Sequence, residues 1–397
     1  MDGSTKLFKI FGIDVQLHFS WWLIFVLLAW SLSSAFFPQS FPGLSVKMYW
    51  LMGIVASLLL FVSVLLHELS HSLVAKARKI KVESITLFFF GGVAGIDDED
   101  MKAGSEFLMA IAGPLFSLFL ALVFFLIYKF NGNVFWAAIT MYLYQLNFIL
   151  AIFNLIPGFP LDGGRAFRAI LHAYYHDLKK ATKIAASSGR IFAIFLIVLG
   201  IFGLLSGAAQ GLWLIFLGGF LYFIAGLSYE QVVLKDALSR IKVKELLKAK
   251  YPEVSSETYF SDLLKEFANR GEDMFVVEGL KRKGSAMKGK SFIGMLDLKA
   301  LDKMPPQLQK TVKLKQLATP ADKVASVNKE DTAYAAFKSI TKQKSDFVAV
   351  MDKKKFLGFV TKKVLMNSLI WSLKYGADKE NDVVVKNRKK LGTKKNG

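Results

Sequence analysis

His67, Glu68 and His71 stand together in the run LLHELSHSLVAKARK, Leu65 to Lys79. On a helix, histidines four residues apart stack on one face, and a glutamate directly after the first reaches a water held between them. That is the arrangement of a zinc hydrolase. The three ionisable groups follow FVSVLL inside an apolar run of membrane length, where such groups are expensive and are retained for function. Two histidines and a carboxylate in one apolar turn have few stable arrangements other than a shared ion or a polar network. With no cysteine in the chain, any metal must be held by His, Asp, Glu or similar oxygen donors.

A hydrolytic zinc site usually takes three protein ligands and leaves one position open, so a third ligand has to come from elsewhere. The stretch FNLIPGFPLDGGRAFR supplies a candidate. Pro157 and Pro160 break a helix there, and Gly158, Gly163 and Gly164 permit tight turns. Asp162 lies in the break. Irregular backbone at membrane depth is tolerated only where protein or water satisfies it, so this carboxylate lines a polar cavity or binds an ion. Pairing with Arg165 at the surface is the alternative.

The elements that must position these groups follow from composition and periodicity. The 397 residues are 53% hydrophobic and 14% aromatic, figures of a polytopic membrane protein with an appended soluble part. Six apolar segments have the length to cross a bilayer, at about 16–36, 48–76, 106–128, 134–156, 190–206 and 211–233. The N-terminal MDGSTKLFKIFGIDVQLHFSWW reads as a short tail before a retained first span. Lys and Arg collect in the N-terminal tail (Lys6, Lys9), after the second span (Lys76, Arg78, Lys79, Lys81, Lys102) and after the fourth (Arg165, Arg168, Lys179, Lys180, Lys183, Arg190). The other side has Lys47 and Lys129, so both termini are expected in the cytoplasm of a multi-pass cell-membrane protein. In that orientation the histidines lie roughly 8 to 14 Å below the cytoplasmic end of their helix, at about 1.5 Å per residue.

Between the second and third spans, ITLFFFGGVAGIDDED is β-rich and too short to span. Ile85 to Phe90, then Gly91 and Gly92, suggest a strand and turn dipping into the interface, followed by an acidic run, Asp97 to Asp100, that stays in water. An edge strand there could pair with an extended substrate through backbone hydrogen bonds, or the hairpin could simply pack on the helices.

HELSH in the second span together with NLIPGFPLDGG after the fourth resembles the site-2 protease family of intramembrane zinc metalloproteases. The resemblance covers roughly residues 10–230 and includes AGPLFS in the third span, with Gly113 and Pro114. It implies one zinc ion (Zn2+) per chain held by His67, His71 and Asp162, and Glu68 as the general base. Asn154 matches the family asparagine thought to hold substrate or stabilise the oxyanion, and Ser117 stands where many relatives have asparagine. The implied substrate is a transmembrane segment of another membrane protein within the lipid bilayer. In such a site zinc supplies Lewis acidity toward water and the scissile carbonyl. Glu68 would take a proton and pass it to the leaving amine, while a donor such as Asn154 steadies the oxyanion. A metal-ion transporter or sensor using the same histidines and Asp162 is the reading from another class.

Other polar residues carry plainer readings. Asn147 and Gln145 suit a hydrogen bond between helices, and Gly218 with Gly219 suits close helix packing. His172 and His176 repeat the four-residue spacing without a following glutamate and read as surface residues of a basic cytoplasmic loop. His18, Trp21 and Trp22 suit an interfacial anchor.

After Lys235 short helices alternate with short apolar strands, and a pattern of about sixty residues occurs twice, at about Arg240 to Asp302 and Val312 to Leu369. This resembles a tandem pair of cystathionine-β-synthase-type (CBS) modules, a regulatory α+β unit that often binds adenine nucleotides. The T-x-x-D ribose pattern falls at Thr361 with Val364 in place of the acid, and at Asp297 with Ala300 in the first copy, which favours a dimerisation or docking role over nucleotide binding. The expected architecture is therefore a polytopic α-helical membrane domain (1–234) with a small interfacial β-element, a cytoplasmic tandem CBS-type domain (235–370) serving as a homodimer contact, and a disordered basic tail (371–397). The soluble half holds 36 of 51 basic and 19 of 31 acidic residues, leaving it +17 of the net +20. No nucleic-acid-binding pattern accompanies that charge, and attraction to an anionic inner leaflet accounts for it.

Overall fold

In a computed structural model of the chain, residues 3–89, 91–96, 101–247, 252–267, 274–279, 291–298, 308, 310–320, 323–352 and 355–375 are described. Two compact units divide it, Met1–Val232 and Val233–Gly397. The acidic run at 97–100, position 300 and residues 376–397 lie outside the described residues.

Among the described residues six helices are long and apolar enough to cross a membrane: α1 (Ser20–Ser40), α2 (Val46–Ala77), α3 (Ala103–Phe130), α4 (Val134–Asn154), α6 (Leu178–Leu205) and α7 (Gly211–Ser239), with the shorter α5 (Asp162–Tyr175) between α4 and α6. At 32 residues α2 is about 48 Å long, more than a hydrocarbon core of roughly 30 Å needs. Its first turn is capped by Ser45, whose hydroxyl accepts from the Met48 N–H at 3.3 Å. Asn133 caps α4 the same way, accepting from Phe135 N–H at 2.9 Å. Small residues face inward and large apolar ones outward, with Leu115, Phe119, Ile149, Phe195, Phe202 and Phe216 exposed. That distribution suits lipid as the surrounding solvent. A packed centre formed by Phe37, Tyr49, Met52, Ala56, Ile139, Tyr142 and Leu143 joins α1, α2 and α4.

Three segments depart from the expected pattern, and the first and last spans also run on, to Ser40 and Ser239 rather than about 36 and 233. The N-terminal residues form a hairpin, β1 (Ser4–Ile10) and β2 (Ile13–His18), so the first span begins at Ser20 rather than near 16. The reason is the period-two alternation of β2: Ile13 and Val15 are buried, and Leu17 packs against Trp21, Phe61 and Leu87. The turn is Phe11 and Gly12, both at positive φ, 48° and 80°, the signature of a tight two-residue hairpin. The fifth span starts at 178 rather than 190, because Ala181, Ala185, Ala186 and Gly189 give it a buried face while Lys179, Lys180 and Lys183 stay exposed. The segment after Asp162, expected as loop, is the amphipathic helix α5, burying Ala166 and Ala169 and carrying the half-exposed His172.

β2 pairs in parallel with β3 (Val82–Phe88), which pairs antiparallel with β4 (Gly91–Ile96), giving the order β1-β2-β3-β4. Gly91 and Gly92 therefore open β4, opposite Phe88 and Leu87, instead of forming the turn itself. The sheet is seated on α2 through Ile13, Ile85 and Leu69, flanked by Leu65, Leu66 and Ala94. That contact brings β4, an edge strand, to the helix that carries HELSH.

The second unit holds two similar halves. In the first, β5 (Glu253–Ser255), helix α8 (Phe260–Phe267), β6 (Met274–Gly279) and β7 (Ser291–Asp297) form a sheet completed by β8 (Thr319–Pro320). In the second, β9 (Ser326–Asn328), α10 (Ala333–Gln343), β10 (Phe347–Asp352) and β11 (Lys355–Thr361) repeat the parallel-then-antiparallel pairing, followed by α11 (Lys362–Tyr375). Between the halves lies the short α9 (Leu314–Leu317). Each half's lead-in docks on the other half. Val243, before the first half, donates to the Asp331 carbonyl at 2.9 Å and joins the core of Val327, Ala333 and Ile340. Leu314, before the second, donates to the Thr258 carbonyl at 2.9 Å and joins Phe260, Leu263 and Phe275. The two sheets meet through Val276, Met295, Phe347, Ala349 and Phe359.

Candidate metal centre

α2 holds His67 and His71 one turn apart, each 4% exposed. Their rings meet edge to face, with Nε2 atoms 3.2 Å apart. Asp162 Oδ2 lies 3.2 Å from both Nε2 atoms. The two histidines and Asp162 thus make an equilateral triangle of lone-pair donors across 95 residues of chain. Donors at zinc distances of about 2.0–2.1 Å in a tetrahedral array stand roughly 3.3 Å apart, so the triangle fits that ion and leaves its fourth direction open. Among the described residues this is one group of three such side chains. Asp162 pairs here rather than with Arg165.

Both imidazoles are turned by partners on α3. His71 Nδ1 donates to the Met109 carbonyl at 2.6 Å, and His67 Nδ1 lies 2.9 Å from Ser117 Oγ. A proton on each Nδ1 leaves each Nε2 with its lone pair toward the triangle, the tautomer a metal ligand needs. Gly113 sits between them on the same face of α3: a Cβ there would stand 2.1 Å from His71 Nε2 and 2.6 Å from His67 Nε2. Met109, Gly113 and Ser117, spaced by four, are the back wall of the centre. Sequence reasoning noticed Gly113 only as part of AGPLFS and Ser117 only as standing where many relatives have asparagine, and missed Met109, whose contribution is a backbone oxygen.

Asp162 is placed by the helix break before it and opens α5. α4 ends at Asn154, and the chain turns through Pro157 to Leu161, with Phe159–Pro160 in cis. The turn is held to α6 by Phe159 N–H donating to the Ala185 carbonyl at 3.2 Å and by Ser188 Oγ donating to the Pro157 carbonyl. Gly163 and Gly164 are required by contact: a Cβ on either would lie 2.4 Å from a backbone oxygen, of Leu155 and of Gly158. Farther along α5, the Arg168 guanidinium donates twice to Glu106 Oε1 on α3, through Nε at 2.7 Å and through Nη2, and lies 5.0 Å from the Phe159 ring centre.

Glu68, half-buried, points to β4. A Cβ on Gly92 would come within 2.4 Å of Glu68 Cγ, so the bare strand backbone lies directly against the carboxylate arm. Gly91, at φ 127°, has open space where a side chain would be. Asn154 is half-buried and donates Nδ2 to the Leu150 carbonyl at 3.0 Å within its own helix, with no recorded bond to the donor triangle. Asn147 does join helices, donating to Ser63 Oγ of α2 at 3.3 Å. Of the glycine pair in α7, Gly218 packs tightly, 2.6 Å from the Ala193 carbonyl for a Cβ, whereas Gly219 faces open space.

Known proteins resemble this chain in sequence. Residues 55–140 and 132–199 match the model of peptidase family M50, a stretch that contains His67, His71 and Asp162. The Rip3 protein of Mycobacterium tuberculosis is 30% identical over 336 residues, 83% of this chain and 84% of that one. The zinc metalloprotease MJ0392 of Methanocaldococcus jannaschii is 37% identical over 270 residues, 67% of this chain and 73% of that one. Among solved structures, the site-2 protease from Methanocaldococcus jannaschii is 36% identical, covering 57% of this chain and 95% of that chain with a TM-score of 0.39. With similarity of that extent running through the helices that carry the donor triangle, the chain belongs to peptidase family M50.

Proposed function

We propose that His67, His71 and Asp162 hold one zinc ion and that the chain hydrolyses a peptide bond in or next to the transmembrane segment of another membrane protein. The observation that carries this is the donor triangle of 3.2 Å edges, two corners on an apolar span and the third at the start of α5, with a carboxylate beside it. Zinc held there supplies Lewis acidity toward water and the scissile carbonyl. The protein does the rest. The Met109 carbonyl keeps His71 in the metal-binding tautomer, Ser117 orients the His67 ring, and Glu68 takes the proton of the attacking water and delivers it to the leaving amine.

Edge strand β4 receives the substrate as an added strand, its half-exposed backbone at Gly91 and Gly92 carrying no side chain in the way. The Gly92 contact puts a strand so bound within reach of Glu68. Asn154 has one amide hydrogen and its carbonyl oxygen left for substrate after its bond to Leu150. We place both termini in the cytoplasm, on the distribution of Lys and Arg between the connecting segments.

The second unit we read as a CBS-type pair acting in homodimerisation or docking rather than as an adenine-nucleotide sensor. Thr361 Oγ1 accepts from the Val364 N–H at 3.3 Å, which makes it a helix cap, and Val364 offers no carboxylate to a ribose. Membership of a peptidase family and likeness to a named zinc metalloprotease favour hydrolysis over the metal-transporter alternative.

The test is Glu68→Gln in the full chain, reconstituted with a single-span substrate. Cleavage falls by roughly 100- to 10,000-fold, the contribution of general acid–base catalysis, while zinc stays bound. A variant that cuts at the wild-type rate refutes the mechanism.

A further inference from the structure

Glu106 is 2% exposed and sits in the first turn of α3, an otherwise apolar helix. Its partner Arg168 is 13% exposed, comes from α5, and reaches it 62 residues along the chain. Neither group belongs to the metal triangle or to the proton path. Two charges withdrawn from water this far are costly, and a buried pair is often no more stabilising than apolar residues of the same volume. Stability alone is thus a poor reason for the pair.

Its placement supplies a better one. Glu106 lies three residues before Met109 and seven before Gly113, on the stretch of α3 that backs the centre. Arg168 lies on the helix that Asp162 opens, and its guanidinium also covers Phe159, three residues before Asp162. One side chain therefore ties together the helix that aims the two histidines, the break that delivers the third ligand, and the helix that follows it. A guanidinium fork fixes both direction and distance in a way that apolar contact does not.

We propose that Glu106 and Arg168 are positioning residues that set Asp162 against the two histidines and thereby set the zinc affinity of the site, a role that rests on the zinc reading above. The pair acts by holding α5 on α3 at one register.

The experiment compares wild type, Asp162→Ala, Glu106→Gln, and the double variant Glu106→Gln with Arg168→Gln, all as the full chain in detergent. Zinc is titrated in competition with a chromophoric chelator, and circular dichroism and gel filtration select folded protein. Glu106→Gln strands a buried guanidinium and can unfold the protein; the double variant removes both charges and keeps the fold available for measurement. We expect the folded double variant to bind zinc roughly 10- to 100-fold more weakly than wild type, the usual effect of losing a group that orients a ligand. Zinc affinity within twofold of wild type in the double variant, with Asp162→Ala strongly impaired, overturns the positioning role and leaves the ligand set intact. Unchanged affinity in Asp162→Ala overturns the ligand set, and the positioning role with it.

Discussion

Replacing Gly113 with alanine adds one methyl group where the structure has no room for it. The added carbon would stand 2.1 Å from His71 Nε2, 2.5 Å from His71 Cε1 and 2.6 Å from His67 Nε2. Ordinary non-bonded separations of about 3.5 Å require the nearer ring to retreat by more than 1 Å, roughly. A free imidazole would swing away at little cost, but these are pinned. His71 is held by the Met109 carbonyl at 2.6 Å and His67 by Ser117 at 2.9 Å, both on the helix that carries Gly113. The methyl also occupies the side from which the two Nε2 lone pairs converge. Disturbing the contacts that orient metal ligands costs about 10- to 100-fold in metal affinity, and with both rings pushed at once zinc affinity should fall by roughly 100-fold, about 2.7 kcal/mol. Zinc stoichiometry after dialysis against a graded chelator series measures it, on protein shown to be folded by circular dichroism. Gly219→Ala is the control, because its Cβ meets nothing within 4 Å and should leave zinc binding unchanged. A Gly113→Ala protein that keeps zinc with wild-type affinity refutes the proposed wall of the centre.

Gly92→Ala separates proton transfer from metal binding: the three atoms nearest its methyl all belong to Glu68, with Cγ at 2.4 Å. Cleavage should drop at least tenfold, by about 1.4 kcal/mol of barrier, with zinc content intact; parallel loss of zinc would contradict the assignment. In the second unit, hydrogen bonds from Lys313 at 2.6 Å and then Lys315 at 2.9 Å hold the Glu257 carboxyl down to about 2 from its ordinary 4.5. A carboxyl lowered on folding stabilises fully above its unfolded value and loses that contribution as pH falls toward the folded one. The difference in denaturant stability between wild type and Glu257→Gln should therefore be present at neutral pH and vanish between about pH 4.5 and 2; a difference independent of pH would disprove the coupling.

The six spans were legible because a bilayer demands a long apolar run, a signal that survives an uncertain boundary. The same averaging hid the N-terminal hairpin. Ile13, Val15 and Leu17 add to the hydropathy of the first span, while their alternation with Asp14, Gln16 and His18 marks them as a strand. Partnership was the harder question. A parallel pairing of β2 with β3 across some seventy residues follows from α2 returning the chain beside its start, a tertiary fact with no local trace. In the duplicated unit the repeat could be read, but not the exchange of lead-ins: Val243 and Leu314 occupy equivalent places in the two copies, and either half could have kept its own.

Within the proposed metal centre, legibility tracked chemistry carried by side chains. HELSH and PLDGG declare their donors by residue type. Met109 contributes a carbonyl oxygen that any residue could supply, and Gly113 contributes an absence of atoms, so neither is visible until α3 is laid against α2. Glu106 is different, because the sequence did contain its signal. A carboxylate in the first turn of an apolar span has either to reach water or to find a cation, and Arg168 was counted only as a loop charge favouring the cytoplasm. Once the segment after Asp162 is recognised as an amphipathic helix, its arginines divide: Arg168 turns toward α3 and meets Glu106, while Arg165 has no recorded bond to the Asp162 carboxylate. The Asp162 carboxylate meets the two histidines instead, Oδ2 lying 3.2 Å from each Nε2.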